Sequence, residues 1–188
     1  MNSDYVQPAH NWVLSFGPAL SSQSRVYFPG AGGRVYFRDQ ADAATGTSGQ
    51  VVFYGLANYQ ANPSAYDAAV VINTPVTIDP AGNLYFGFLV SGSTPLGLTS
   101  GIARISANGQ GTWTPVTTAS ADSSMTKVPY NSAPALSTDH QTLYVAVSNG
   151  SSMISVSAGR AMRFRSTISP STTSSIYVAF VLHSPSPF

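Results

Sequence analysis

The sequence predicts an all-β chain made of repeats of about 58 residues, and three observations carry that expectation. The first is composition. Charged residues are 8% of the 188, hydrophobic residues 43%, and Lys127 is the only lysine in a chain without glutamate. A typical soluble domain carries about 25% charge, and the solvent face of a helical bundle needs Glu, Lys, Gln and Arg. The abundance of Tyr, Phe, Val, Ile and Leu excludes a disordered chain. The second observation is a recurring block, and the third is the strand-and-turn chemistry inside it.

The first block runs Gly17-Pro18-Ala19-Leu20 through Arg25-Val26-Tyr27-Phe28. The second runs Thr74-Pro75-Val76-Thr77-Ile78 through Asn83-Leu84-Tyr85-Phe86. The third runs Ala133-Pro134-Ala135-Leu136 through Thr142-Leu143-Tyr144-Val145. Each is a proline, a small or β-branched apolar pair, a polar turn, then apolar-Tyr-apolar. The prolines at 18, 75 and 134 and the tyrosines at 27, 85 and 144 keep nearly the same period. Fixed-period self-similarity marks a repeat architecture.

Each block reads as a hairpin: a strand ends at the Ser/Asp/Pro/Gly cluster and another begins at the apolar-Tyr pair. In Asp79-Pro80-Ala81-Gly82-Asn83, Pro fixes φ, Gly permits positive φ, and Asp and Asn bond back to the turn. Further strands are expected over Gly33 to Arg38, Gln50 to Gly55, Gly101 to Ser106 and Thr112 to Val116. The stretch Ala57 to Ala69 reads as a long loop. The units therefore hold about four short strands each, over approximately 11–68, 69–127 and 128–188, in one domain spanning 1–188. The last 38 residues, 151–188, diverge from the pattern: they hold 11 Ser, three of the seven Arg and no Asp. The uncharged run Ile176 to Leu182 reads as a buried or paired strand.

Four strands per 40 to 60 residues is the pattern of a propeller blade. The three blocks resemble the Pro-x-apolar-Ser-x-Asp-Gly-x-apolar-Tyr-apolar hairpin of quinoprotein-like and other tyrosine-marked bacterial β-propellers, over about residues 11 to 150. The resemblance implies a fold. It implies no quinone, because the family's Ala-x-Asp-x-x-Thr-Gly-x-x-x-Trp docking motif is absent; Ala41-Asp42-Ala43-Ala44-Thr45-Gly46 echoes it without the Trp. About three blades are fewer than the four to eight that close a propeller. Completion by self-association, for example as a dimer forming a six-bladed ring, a truncated propeller and a β-sandwich are the alternatives.

Function classes can be excluded more readily than assigned. There are no cysteines, so disulfides, thiolate metal sites and Cys nucleophiles are out. The net charge of +1 argues against nucleic acid, which needs clustered Lys and Arg. No basic-then-apolar leader and no apolar run long enough for a membrane span is present, so the chain as it stands reads as cytoplasmic. No Gly-x-Ser-x-Gly elbow occurs. Gly30-Ala31-Gly32-Gly33 lies between two strands with no helix after it, so it reads as a turn and not a phosphate loop.

Two sets of side chains remain as candidates. If the units close into a ring, loop residues converge on its axis, and His10, Asp39, Asp67, Asn73, Asn131, Asp139 and His140 become candidate ligand or metal contacts. Calcium suits such oxygen donors. His183 stands far from any partner in sequence. Asp79 and Asp139 occupy equivalent turns and read as turn caps. Trp12, Tyr59, Tyr66, Trp113 and Tyr130 are candidate stacking residues, since aromatic rings beside Asn and Ser form the usual face for a sugar. The expectation is a non-catalytic binding or scaffold module for carbohydrate, peptide or protein. The alternatives are a propeller-type hydrolase, a lactonase or a glycan-cleaving enzyme, using loop Asp and His with a divalent metal, and a truncated fragment without activity of its own.

Overall fold

The computed structural model describes residues 4–6, 17–149 and the backbone of 177–178. Within them the chain runs as successive antiparallel meanders. The first holds β1 (Ala19–Leu20), β2 (Val26–Pro29), β3 (Arg34–Arg38) and β4 (Ser48–Val52), paired in that order. A short 3-10 turn, Ala31–Gly33, joins β2 to β3. Two short helices follow, α1 (Leu56–Ala61) and α2 (Pro63–Ala69), and then β5 (Val70–Ile72). The second meander is β6 (Thr77–Ile78), β7 (Leu84–Val90), β8 (Gly101–Ile105) and β9 (Gly111–Pro115), with β5 lying on the same edge of β7 as β6. A single helical turn, α3 (Val116–Ser120), leads to β10 (Ala135–Leu136) and β11 (Leu143–Tyr144). Then β12 (Ala146–Val147) pairs with β13 (Tyr177–Val178).

The periodicity is realised in the first hairpin of each unit. Ala19 pairs with Tyr27, Thr77 with Tyr85 and Ala135 with Tyr144. The hairpin turns repeat as well. Ser24, Gly82 and His140 occupy the same place and all have positive φ, at 57°, 86° and 57°. In each turn the amide of that residue donates back three positions, to the carbonyls of Ser21, Asp79 and Ser137. Each turn is thus closed by a bond from residue four to residue one and ends on a left-handed residue; the loop holds three residues in the first two hairpins and four in the third, where Ser137 pairs with Thr142. The side chain at the turn's first position also caps it: Ser21 Oγ accepts from the amides of Gln23 and Arg25, and Asp79 Oδ1 from that of Asn83.

Sheet stacking explains the uncharged β7. Leu84, Phe86 and Phe88 project from one face into a core shared with Val35, Phe53, Val70 and Ile72 of the preceding segment. Tyr85, on the other face, joins Ile102, Val116, Val128, Leu143 and Val147 in a second core. A strand buried on both faces reads as continuous apolar sequence, whereas one facing solvent alternates. Burying Phe86 and Phe88 stabilises by about 1.5–3 kcal/mol each. Gly87 and Gly111 permit the closest approaches. A Cβ on Gly87 would meet Val128, and one on Gly111 would enter the Phe53 backbone.

Two expectations are overturned. Ala57 to Ala69 is α1 and α2 rather than a loop. Pro63 takes the first helical position of α2, where its missing N–H costs nothing, and the helices bury Tyr59, Tyr66 and Ala69. Strand β4 also ends at Val52, so Phe53 to Gly55 of the expected strand form a turn that drives Phe53 and Tyr54 into the core. The divergent tail lies outside the described residues apart from β13, which falls within the expected strand Ile176 to Leu182. No helix among the described residues is long and apolar enough to cross a membrane.

Candidate functional site

Between the first and second meanders an uncharged cleft of about 490 Å³ opens. One wall is β4 and the turn after it, Gln50 to Leu56. The other is the β8–β9 turn with the start of β9: Asn108, Gly109, Gln110, Gly111 and Trp113. The β8–β9 turn has the same build as the repeated hairpin turns, with Gly109 at φ 84° and its amide donating to Ser106 O. Gly111 lets this wall sit directly on the Phe53 backbone. Trp113 is half-buried and held edge-on against Phe88, ring centroids 6.2 Å apart. Asn108 and Gln110 are exposed at the rim. An indole presented among side-chain amides, with no formal charge, offers apolar stacking together with neutral donors and acceptors.

The candidates expected to line an axis go to separate places. Asp39 accepts from Arg25 Nε and, at 2.9 Å, from Thr47 Oγ1, and the Arg25 guanidinium lies over the Phe37 ring at 4.6 Å. The Arg25 and Thr47 hydrogen bonds hold the Asp39 carboxyl below the usual carboxylate range. Asp139 accepts from Ser137 Oγ at 2.5 Å and from the Gln141 amide at 3.1 Å, which also lowers its pKa and makes it a turn cap. His140 is the exposed left-handed residue of that turn. Asn73 is fully buried and donates from Nδ2 to Val128 O at 2.7 Å, while its main-chain carbonyl accepts the Asn131 main-chain amide at 3.1 Å. These two asparagines are thus brought together, at the seam between the second and third units. Among the described residues no group of three or more His, Asp or Glu is placed to hold a metal ion. His10 and Trp12 lie outside the described residues.

Asp67 and Tyr59 do converge, around an arginine that sequence reasoning missed. Tyr59 OH donates to Asp67 Oδ1 and Oδ2 at 3.1 and 3.2 Å, and Arg34 Nη2 lies 3.7 Å from Asp67 Oδ1. The Arg34 guanidinium lies over the Tyr59 ring at 4.5 Å and the Tyr36 ring at 5.3 Å. Its Nε donates to Ala31 O at 2.9 Å and its Nη1 to Gln50 Oε1 at 3.3 Å. Its Nη2 also pairs with Asp4 Oδ2. Burial pushes the Tyr59 phenol up to about 12, with Asp67 adding to the shift and Arg34 opposing it. Tyr66 is a core residue stacked on Tyr54 at 4.5 Å rather than an exposed platform. Tyr130 is partly buried, and that burial raises its pKa. Arg34 sits in Arg34-Val35-Tyr36-Phe37-Arg38, where an arginine opening an aromatic strand was the available signal.

The fold and the cleft together define an all-β protein of stacked antiparallel meanders with an aromatic-amide groove between two of them. No protein-family model, no curated protein and no solved structure matches this chain.

Proposed function

We propose that the chain is a non-catalytic, carbohydrate-binding module of β-propeller type that completes its ring by self-association. The observation that carries the binding reading is the cleft itself, uncharged and set with Trp113, Gln50, Asn108 and Gln110. A neutral sugar ring offers an apolar face for an indole and hydroxyls for amides, and it needs no counter-ion. The propeller reading is supported by the four-stranded meander that recurs in the first two units and by the first hairpin that all three units share. Their short first strands also neighbour each other: β1 lies against β6, and Thr77 Oγ1 donates to Pro134 O at 2.5 Å. A binding module also suits carboxylates such as Asp39 and Asp139, which are engaged by their own neighbours.

The test is titration of the protein with a panel of neutral oligosaccharides, followed by tryptophan fluorescence and by calorimetry. At least one glycan should saturate the signal. Trp113→Ala should weaken that glycan about tenfold or more, from loss of roughly 1.5–3 kcal/mol of apolar burial. Gln110→Ala should weaken it without altering the melting temperature. A panel that leaves both signals unmoved refutes carbohydrate recognition. Light scattering tests the ring separately, with a dimer expected and a monomer at all concentrations overturning it.

A further inference from the structure

The surroundings of Arg34 form a receptor for a carboxylate, and the chain's own N-terminal segment fills it. Asp4 Oδ1 accepts the Ala31 amide at 3.0 Å, while Oδ2 accepts Arg34 Nη2 and, at 3.1 Å, the Tyr36 hydroxyl. Three donors from β3 and the turn before it therefore converge on one carboxylate. The receptor side is buried and held by its own bonds. The Arg34 side chain is 10% exposed, its guanidinium is flanked by the Tyr36 and Tyr59 rings, and Nε and Nη1 are tied to Ala31 O and Gln50. Gly32, at φ 67°, lets the turn close over Asp67 and Tyr59; a Cβ there would come within 2.6 Å of Asp67 Oδ1.

The occupant side is different in kind. The Asp4 side chain remains 47% exposed, and its neighbour Tyr5 reaches across to donate to Ile72 O at 2.8 Å. Asp4 and Tyr5 thus touch the body as a peptide ligand does, through one carboxylate that accepts from an amide, a guanidinium nitrogen and a hydroxyl, and one phenol anchor. Charge-assisted hydrogen bonds to arginine are roughly twice as strong as neutral ones and are geometrically selective.

We propose that this is a peptide-recognition site for an aspartyl-tyrosyl segment, occupied in cis by residues 4 and 5 and open to the same chemistry in trans. Tethering gives the cis segment an effective concentration in the millimolar range. An added peptide must therefore compete in the native chain and binds far better once the cis contacts are removed.

The experiment uses the full chain carrying Asp4→Asn and Tyr5→Phe. The probe is a synthetic peptide of the first six residues with an amidated C-terminus, titrated by calorimetry. The variant should bind it saturably and at least tenfold more tightly than the native chain. The peptide with its aspartate changed to asparagine should lose that binding, as should the further substitution Arg34→Lys, which removes the guanidinium that Ala31 O and Gln50 hold in place. No saturable binding to a cooperatively melting variant overturns the proposal, as does binding indifferent to the peptide's carboxylate. Failure of both the double variant and Asp4→Asn alone to fold overturns it too, since an exchangeable occupant cannot be required for folding.

Discussion

Gly87→Ala tests whether the third unit packs on the second as described. Gly87 lies mid-way along β7, on the face that carries Tyr85, and its amide donates to Thr74 Oγ1 at 2.8 Å. A Cβ added there would stand 2.8 Å from Thr74 Cγ2, Val128 Cβ and Val128 Cγ1. Carbon atoms pack at about 3.5–4.0 Å, so each contact is short by roughly 1 Å. Neither neighbour can swing aside, because Thr and Val are β-branched and stiff about χ1, and Val128 is wholly buried. Relief must come from moving the segment that carries Val128 away from the sheet, at a cost of about 1–3 kcal/mol. In a domain of this size each kcal/mol lowers the melting temperature by about 2–4 °C. The expected fall is therefore about 2–12 °C by calorimetry. Gly92→Ala is the matched control, since its Cβ would meet only Ala69 Cβ at an ordinary 3.7 Å. A Gly87→Ala protein that melts within 1 °C of the native chain refutes the packing of Val128 on β7. So does an equal fall for Gly92→Ala.

Three further outcomes are expected. Gly82→Ala, at φ 86° in the second hairpin turn, should cost about 1–2 kcal/mol from the left-handed backbone alone, measured by urea denaturation. His140→Gly at the equivalent position should instead be neutral or slightly stabilising. Phe88→Ala should destabilise by about 3–5 kcal/mol, because Phe88 is fully buried against Phe53 at 4.3 Å and under the edge of Trp113. The same variant should weaken glycan binding by loosening Trp113, read in the oligosaccharide titration. Acid should destabilise the fold through several carboxylates. For Asp4, burial acts to raise the pKa, but the Ala31 amide, Arg34 and Tyr36 together outweigh it and leave the pKa lowered. Asp39, Asp122 and Asp139 are lowered by their hydrogen bonds. A depressed folded-state pKa contributes stability above the unfolded value of 3.8 that is lost as pH falls through the folded one. Melting temperatures should thus drop on acidification below about pH 4, and Asp39→Asn should shrink that drop. An unchanged melting temperature from pH 5 to pH 3 contradicts these contacts.

Local sequence carried the hairpins because their causes are local. Pro18, Pro75 and Pro134, the turn residues and the tyrosines at 27, 85 and 144 act within a dozen residues of one another, and the strand pairings follow them. The strands β3, β8 and β9 were legible for the same reason: short apolar runs bounded by turn chemistry. The helices at 56–61 and 63–69 were not legible against a strand-rich background, although Asn62-Pro63 and the alanines around it carried the signal. Each is under eight residues long, too short to show an amphipathic period, and short helices owe their stability to the faces they bury. Tyr59 and Tyr66 supply those faces, and the partners they bury against, Tyr54 and Arg34, come from other elements.

The candidate sites divide in the same way. Sequence alone determined that Trp113 stands at a strand and that Asp139 caps a turn, since both depend on neighbours in the chain. It also determined the all-β character, through a composition lacking Glu and nearly lacking Lys. Only the tertiary structure decided which residues meet. It opened a groove between Gln50 and Gln110, sixty residues apart, because Gly111 lets two sheets approach. It separated Asp39 from Asp67 by giving each a different arginine, and it set Asp4 on Arg34 across thirty residues. Side-chain chemistry is written residue by residue. Which donor faces which acceptor follows from how the meanders stack, and that is set by the volumes buried between the sheets.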